Sequence, residues 1–72
     1  MFQRWVRGTQ YYEAEARFDL FGQACVVVTY GGVDTARGRR FTMPCGDETG
    51  AEALFKAVAR RRQARGYSRR SA

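Results

Sequence analysis

Residues Tyr11–Phe18, YYEAEARF, alternate strictly between two kinds of side chain. Tyr12, Ala14, Ala16 and Phe18 fall on one side, and Tyr11, Glu13, Glu15 and Arg17 on the other. Successive side chains of an extended strand point to opposite faces, so the pattern separates an apolar face from a charged one. A strand of that kind belongs in an antiparallel sheet with one wet face. The paired tyrosines favour the pleated form over a helix of the same composition. Such a strand needs neighbours, and the flanking sequence supplies them. Phe2–Val6 reads as a short strand, followed by the turn Arg7-Gly8-Thr9-Gln10. Gln23–Tyr30, with three consecutive valines, follows the turn Asp19-Leu20-Phe21-Gly22 and carries the strongest strand signal. A glycine-broken run, TYGGVDTARGRR, leads into a further strand over Arg39–Met43, where Pro44 is expected to stop it.

Beyond Pro44 the apolar period lengthens. Thr49-Gly50-Ala51-Glu52 fits a capping box, with Thr49 accepting from the Glu52 amide while Glu52 reaches back. Ala51, Leu54, Phe55 and Val58 then recur at the spacing of one helical face. Lys56, Arg60, Arg61 and Arg65 lie away from it, and basic side chains in the last turns complement the carbonyl end of the dipole. Gly66 supplies the left-handed residue that ends a helix. Ser68–Ala72 reads as a frayed tail. The expected fold is α+β: one domain over residues 1–72, a small antiparallel meander of three to five strands with a C-terminal amphipathic helix packed on one face.

Several kinds of function are disfavoured. The chain has 72 residues and no histidine, and its two cysteines stand at positions 25 and 45. Two thiols alone do not close a zinc site, so no metal or cofactor is expected. The seven acids are scattered, and Glu13 with Glu15 has the look of a solvated strand face rather than an acid–base pair. The glycines of YGGVDTARG match neither phosphate-loop fingerprint. No enzyme and no small-molecule substrate are expected. The N-terminal MFQRWVRG is charged without an apolar segment, and ACVVV is too short to cross a bilayer. A cytoplasmic protein with reduced thiols, away from membranes, is the expectation.

The net charge is +6, and all but one of the thirteen basic residues are arginine, Lys56 being the exception. Charge of this density suits a polyanion or an acidic partner. Arginine adds a planar fork that grips phosphate with two hydrogen bonds. Trp5, Tyr11, Tyr30, Arg37, Arg39 and Arg40 fall at or near hairpin ends. Aromatic rings interleaved with arginine are the means by which single-strand and end-binding proteins stack bases and neutralise phosphates. The alternative reading of Trp5 and Tyr11 is sheet and rim packing. A small core also gains from association, so a homodimer or a separate protein partner is a further expectation.

One ordered set of motifs carries a resemblance. Arg7-Gly8-Thr9-Gln10-Tyr11-Tyr12, Asp19-Leu20-Phe21-Gly22, Tyr30-Gly31-Gly32-Val33-Asp34-Thr35, Gly38 and a closing Arg65-Gly66-Tyr67 occur in sequence. Together they resemble a WGR domain, a family named for a Trp-Gly-Arg triplet, over roughly residues 7–67. The resemblance implies an antiparallel sheet with one helix against it. In poly(ADP-ribose) polymerases such a domain contacts a broken DNA end, the tryptophan packing on a terminal sugar. Tyr30 stands at the tryptophan position, Gly32 at the arginine position, and Asp34 where glycine is usual. The resemblance implies a nucleic-acid partner, DNA rather than RNA. Tyr30, Gly31, Arg37, Arg39, Arg40 and Gln10 are the expected contact residues. The alternative reading is a protein-interaction adaptor that kept the scaffold after losing its DNA contacts.

Overall fold

Four strands are laid down in chain order, each folding back on the one before. The computed structural model describes residues 1–34 and 38–70. Strand β1 (Phe2–Arg7) pairs antiparallel with β2 (Gln10–Phe18), β2 with β3 (Ala24–Gly32), and β3 with β4 (Gly38–Gly46). Helix α1 (Glu48–Ala64) follows, and a last short strand, β5 (Ser68–Arg70), returns to the free edge of β1. The sheet order is β4-β3-β2-β1-β5. The α+β expectation holds, with the upper end of the expected strand number.

Register shows why the sheet has one dry face. Trp5 lies opposite Tyr12, Ala14 opposite Val28, and Ala16 opposite Val26. These residues share the face covered by α1, where Trp5, Ala14, Ala24, Val26, Val28 and Ala51 form the core. Leu54, Phe55 and Val58 of the helical stripe pack against it. Cys25 and Val27 are also buried, but on the other face, between Arg17 and Pro44 and between Glu15 and Thr42 in the register. Both thiols are free. Phe18 departs from its expected place: it follows the apolar alternation, yet about half of it remains exposed at the end of β2.

Three local expectations are corrected. Pro44 does not end β4, which runs to Gly46. The strand lies at the sheet edge, where a residue without an N–H is tolerated. The register slips there, Cys25 facing Pro44 and Ala24 facing Gly46, so that Cys45 is the extra residue of a bulge. The helix starts earlier than the capping box implied. Asp47 is the N-cap, its Oδ1 accepting from the Gly50 amide at 2.8 Å, and Thr49 lies within the first turn. Aspartate caps at least as well as threonine, and the extended β4 delivers it first. The tail is not frayed through residue 70, since Ser68–Arg70 pair with Val6, Trp5 and Arg4.

Gly66 does end the helix as expected, at φ +84. The Tyr67 amide donates to the Arg62 carbonyl and the Gly66 amide to that of Gln63, the paired bonds of a Schellman motif. A non-glycine residue at this φ is strained. The sharp stop turns the chain directly into β5.

Four substitutions test these roles through stability. In urea denaturation Asp47→Ala costs about 1 kcal/mol, as loss of an N-cap does, while Thr49→Ala stays within about 0.5 kcal/mol of the parent. Val26→Asp abolishes the folded baseline in circular dichroism, because a buried unpaired carboxylate outweighs the roughly 4–10 kcal/mol that a domain of this size holds. Val27→Asp, 8% exposed on the helix-free face, leaves a destabilised but folded protein.

Candidate nucleic-acid interface

Helix α1 crosses the sheet diagonally. It begins just beyond β4, and near its end the Arg65 carbonyl accepts from Arg7 Nη1 at 2.8 Å, at the last residue of β1. The diagonal leaves the β3–β4 corner of the helix-covered face open. An open concavity of about 630 Å³ results, lined by Gln10, Tyr12, Tyr30, Arg62 and Tyr67 and bounded by Gly31 and Gly32.

Aromatic rings form the floor. Tyr12 and Tyr30 lie face to face, with centroids 5.9 Å apart and planes within 14°. Phe41 continues the row, 6.0 Å from Tyr30 at 15°. Tyr67 closes the other end, meeting Tyr12 edge-on at 6.3 Å. The row follows from register, because Tyr12 is the cross-strand partner of Tyr30, and β4 brings Phe41 alongside. Tyr30 is half-buried in it and Phe41 about half exposed.

The charge in this groove comes from the helix. The Arg62 guanidinium sits 4.1 Å from the Tyr12 ring centroid and 5.2 Å from that of Tyr67. Cation–π contact with two rings fixes it in place. Its Nε is buried and makes no hydrogen bond. Burial pushes the Tyr12 phenol above the ordinary tyrosine range, with the Arg62 charge opposing the shift. Arg7 has a different task. Besides holding the helix end, it stacks on Tyr67 at 4.8 Å and reaches Gln10 Oε1 at 3.2 Å. Gln10 Oε1 also accepts from the Tyr67 hydroxyl at 3.4 Å.

The expected contact residues are divided by this geometry. Tyr30, Gly31 and Gln10 border the groove. Arg39 is the cross-strand partner of Tyr30 and shares its face, exposed at the edge strand. Arg40, one residue on, pairs with Thr29 and belongs to the opposite face, beside Val27 and Thr42. A single cationic surface containing both does not form, because neighbours in a strand point opposite ways. Arg37 lies outside the described residues. Trp5 is packed in the core, as the packing alternative had it, whereas Tyr11 also borders the concavity. Trp5 is only 1% exposed. Tyr11 is on the far face beneath the Arg4 guanidinium, 4.6 Å away, with its hydroxyl over Gly38.

Arg62, Tyr12 and Tyr67 were missed as a group. The signal for Arg62 was present: it falls four residues beyond Val58, at the next position of the apolar stripe. A cation there is turned toward the sheet rather than to bulk water. Among the described residues, ion pairs join Arg4 to Glu13, Arg17 to Glu15 and Lys56 to Glu52. None of these pairs draws on Arg62 or Arg39. No group of acids, cysteines and histidines among the described residues could hold a metal ion, and no helix is long and apolar enough to cross a membrane.

Comparison with known proteins adds one finding. The model of the WGR domain matches residues 4–72, nearly the whole chain. No curated protein and no solved structure matches the chain. The match agrees with the order of motifs from Arg7 to Tyr67 and with the five-stranded sheet carrying one helix. The chain belongs to the WGR domain family.

Proposed function

We propose that this WGR domain is a non-enzymatic module that binds nucleic acid without regard to sequence, DNA ahead of RNA, at ends or single strands. The observation that carries the reading is Arg62, held between Tyr12 and Tyr67 in a groove floored by Tyr30. A fixed guanidinium beside a row of stacked rings offers a nucleotide phosphate contact on the cation and sugar or base contact along the ring edges. Tyr30 stands at the tryptophan position of the family triplet. Gly32 stands at the arginine position, and the cavity it borders is the one that Arg62 enters from the helix. A guanidinium thus reaches the same concavity by another route. Arg39 extends the positive surface along β4.

Fluorescence anisotropy on duplex, nicked and single-stranded oligonucleotides tests the reading. With about four phosphates neutralised, log K falls with log salt at a slope of roughly −3 to −4 on duplex DNA. Arg62→Gln and Arg39→Gln each flatten that slope by about 1, while Arg40→Gln, on the far face, leaves it unchanged. Tyr30→Leu, which keeps an apolar side chain over the core, weakens single-strand binding about 5-fold, the low end for an aromatic contact, because Tyr12 and Phe41 flank the ring. Absence of binding to all three oligonucleotides at low salt refutes the proposal.

A further inference from the structure

We propose that the seam between α1 and the β1–β5 edge is a second phosphate-binding site, built of Arg60 and Arg69. One nucleic-acid strand crosses the end of α1 to reach it from the Tyr30–Arg62 groove. The assignment rests on the nucleic-acid reading and adds a site on the opposite flank of the helix. Residues 53–72 hold seven of the thirteen basic residues and no acid. Part of this run has a structural explanation. Arg61 and Arg62 stand in the last turn of α1, where a cation complements the helix dipole. Arg60 precedes that turn and Arg69 lies beyond the helix in β5, so the dipole accounts for neither. Lys56 and Arg60, four residues apart, repel each other along the helix. The Lys56 charge is met by Glu52 at 3.1 Å, whereas Arg60 and Arg69 enter no ion pair among the described residues.

The two guanidinium groups are brought to one hollow. It has a volume of about 290 Å³, with Trp5, Phe55 and Ala59 at its base and Lys56, Arg60 and Arg69 along its rim. No acid borders it among the described residues. Arg69 is held there in advance. Gln3 Nε2 donates to the carbonyls of Arg4 at 2.9 Å and Arg70 at 3.0 Å, which turns Gln3 Oε1 toward Arg69. That oxygen accepts from Arg69 Nε at 3.3 Å and from Nη2 at 3.1 Å, leaving Nη1 for a ligand.

The run Arg60-Arg61-Arg62 supplies the path between the two sites. Consecutive helical residues are turned about 100° from one another. Arg62 faces the sheet in the groove, and Arg61 and Arg60, both exposed, turn successively away from it. Arg61 lies on the groove flank: burial raises the Tyr12 phenol, and Arg61 joins Arg62 in opposing that shift. Arg60 borders the seam. The three form a belt over the helix, and a strand with one negative charge per nucleotide meets a guanidinium at each step. A helix is about 10–12 Å across, the span of about three to four phosphates of one duplex strand. A polynucleotide carries charge at that spacing in any sequence, whereas an acidic protein segment does so only in an unbroken run of acids.

Fluorescence anisotropy with the full chain and DNA oligonucleotides of increasing length tests the second site. In the parent, affinity is expected to step up once a strand spans groove and seam, beyond about four nucleotides. Arg60→Gln, an exposed substitution with a circular dichroism spectrum matching the parent, removes that step. It also flattens the salt slope on longer strands by about 1. Arg40→Gln, the same loss of charge on the far face, changes neither, and Arg62→Gln weakens short and long strands alike. An Arg60→Gln protein that keeps the length step and the parent slope overturns the second site and leaves the groove standing. A slope that depends on Arg60 but not on Arg62 removes the groove and keeps the seam. No binding by the parent to any oligonucleotide overturns both. Poly-glutamate that displaces a long oligonucleotide at equal charge concentration overturns the proposal as well, by assigning the seam to an acidic protein.

Discussion

The architecture turns on one buried indole. Trp5 is the largest side chain to be fully enclosed, and the other buried residues of its cluster are alanines and valines. A 72-residue chain gains little from so small a core, and losing a ring of that size would remove a large part of its apolar burial. Trp5 meets Tyr12 at 6.2 Å and Phe55 at 6.4 Å, so one ring joins β1, β2 and α1. With the helix anchored there and its end bonded to Arg7, its direction across the sheet is set. The uncovered corner over Tyr30 and Phe41 is the geometric remainder of that anchoring.

Charge is then sorted by the same geometry. Three acids are engaged by Arg4, Arg17 and Lys56, and Asp19 and Asp47 are committed to a turn and a helix cap. Exposed pairs of this kind contribute little to stability, about 0–1 kcal/mol each. Their effect is on the field. Carboxylates are gathered toward one end of the molecule, where Glu48 and Glu52 lie near Phe18. Arg62 and Arg39 join none of these pairs, and Arg7 holds the hairpin to the helix beside the aromatic groove.

Much of the fold was legible because period two and period three-to-four announce themselves. YYEAEARF placed Tyr12, Ala14 and Ala16 on the correct face, and the stripe from Ala51 to Val58 did so for the helix. Boundaries were less legible where two signals competed. Pro44 reads as a stop only for a central strand, and nothing local marks β4 as an edge. Thr49 and Asp47 both cap helices, and the choice was made by how far β4 extends. Ser68–Arg70 has no apolar alternation, so its pairing with β1 is a tertiary event invisible in three residues. The site was half legible for a related reason. Tyr30 and Gln10 sit in recognisable motifs, whereas Arg62 belongs to the groove only once the helix is laid diagonally. Arg40 looked equivalent to Arg39 until the pleat separated them.

The pairing of β1 with β5 also bears on how the molecule comes into being. Arg69 bonds Gln3 across a sequence separation of 66 residues, and Arg70 lies opposite Arg4. The hairpins β1–β2, β2–β3 and β3–β4 are local, but the outer edge of β1 is paired only by a strand at the far end of the domain. Until β5 docks, β1 carries an unpaired margin next to its tryptophan, a surface prone to mispairing. Completion of the sheet is therefore the longest-range closure in the fold, and β5 seals the outer edge of β1.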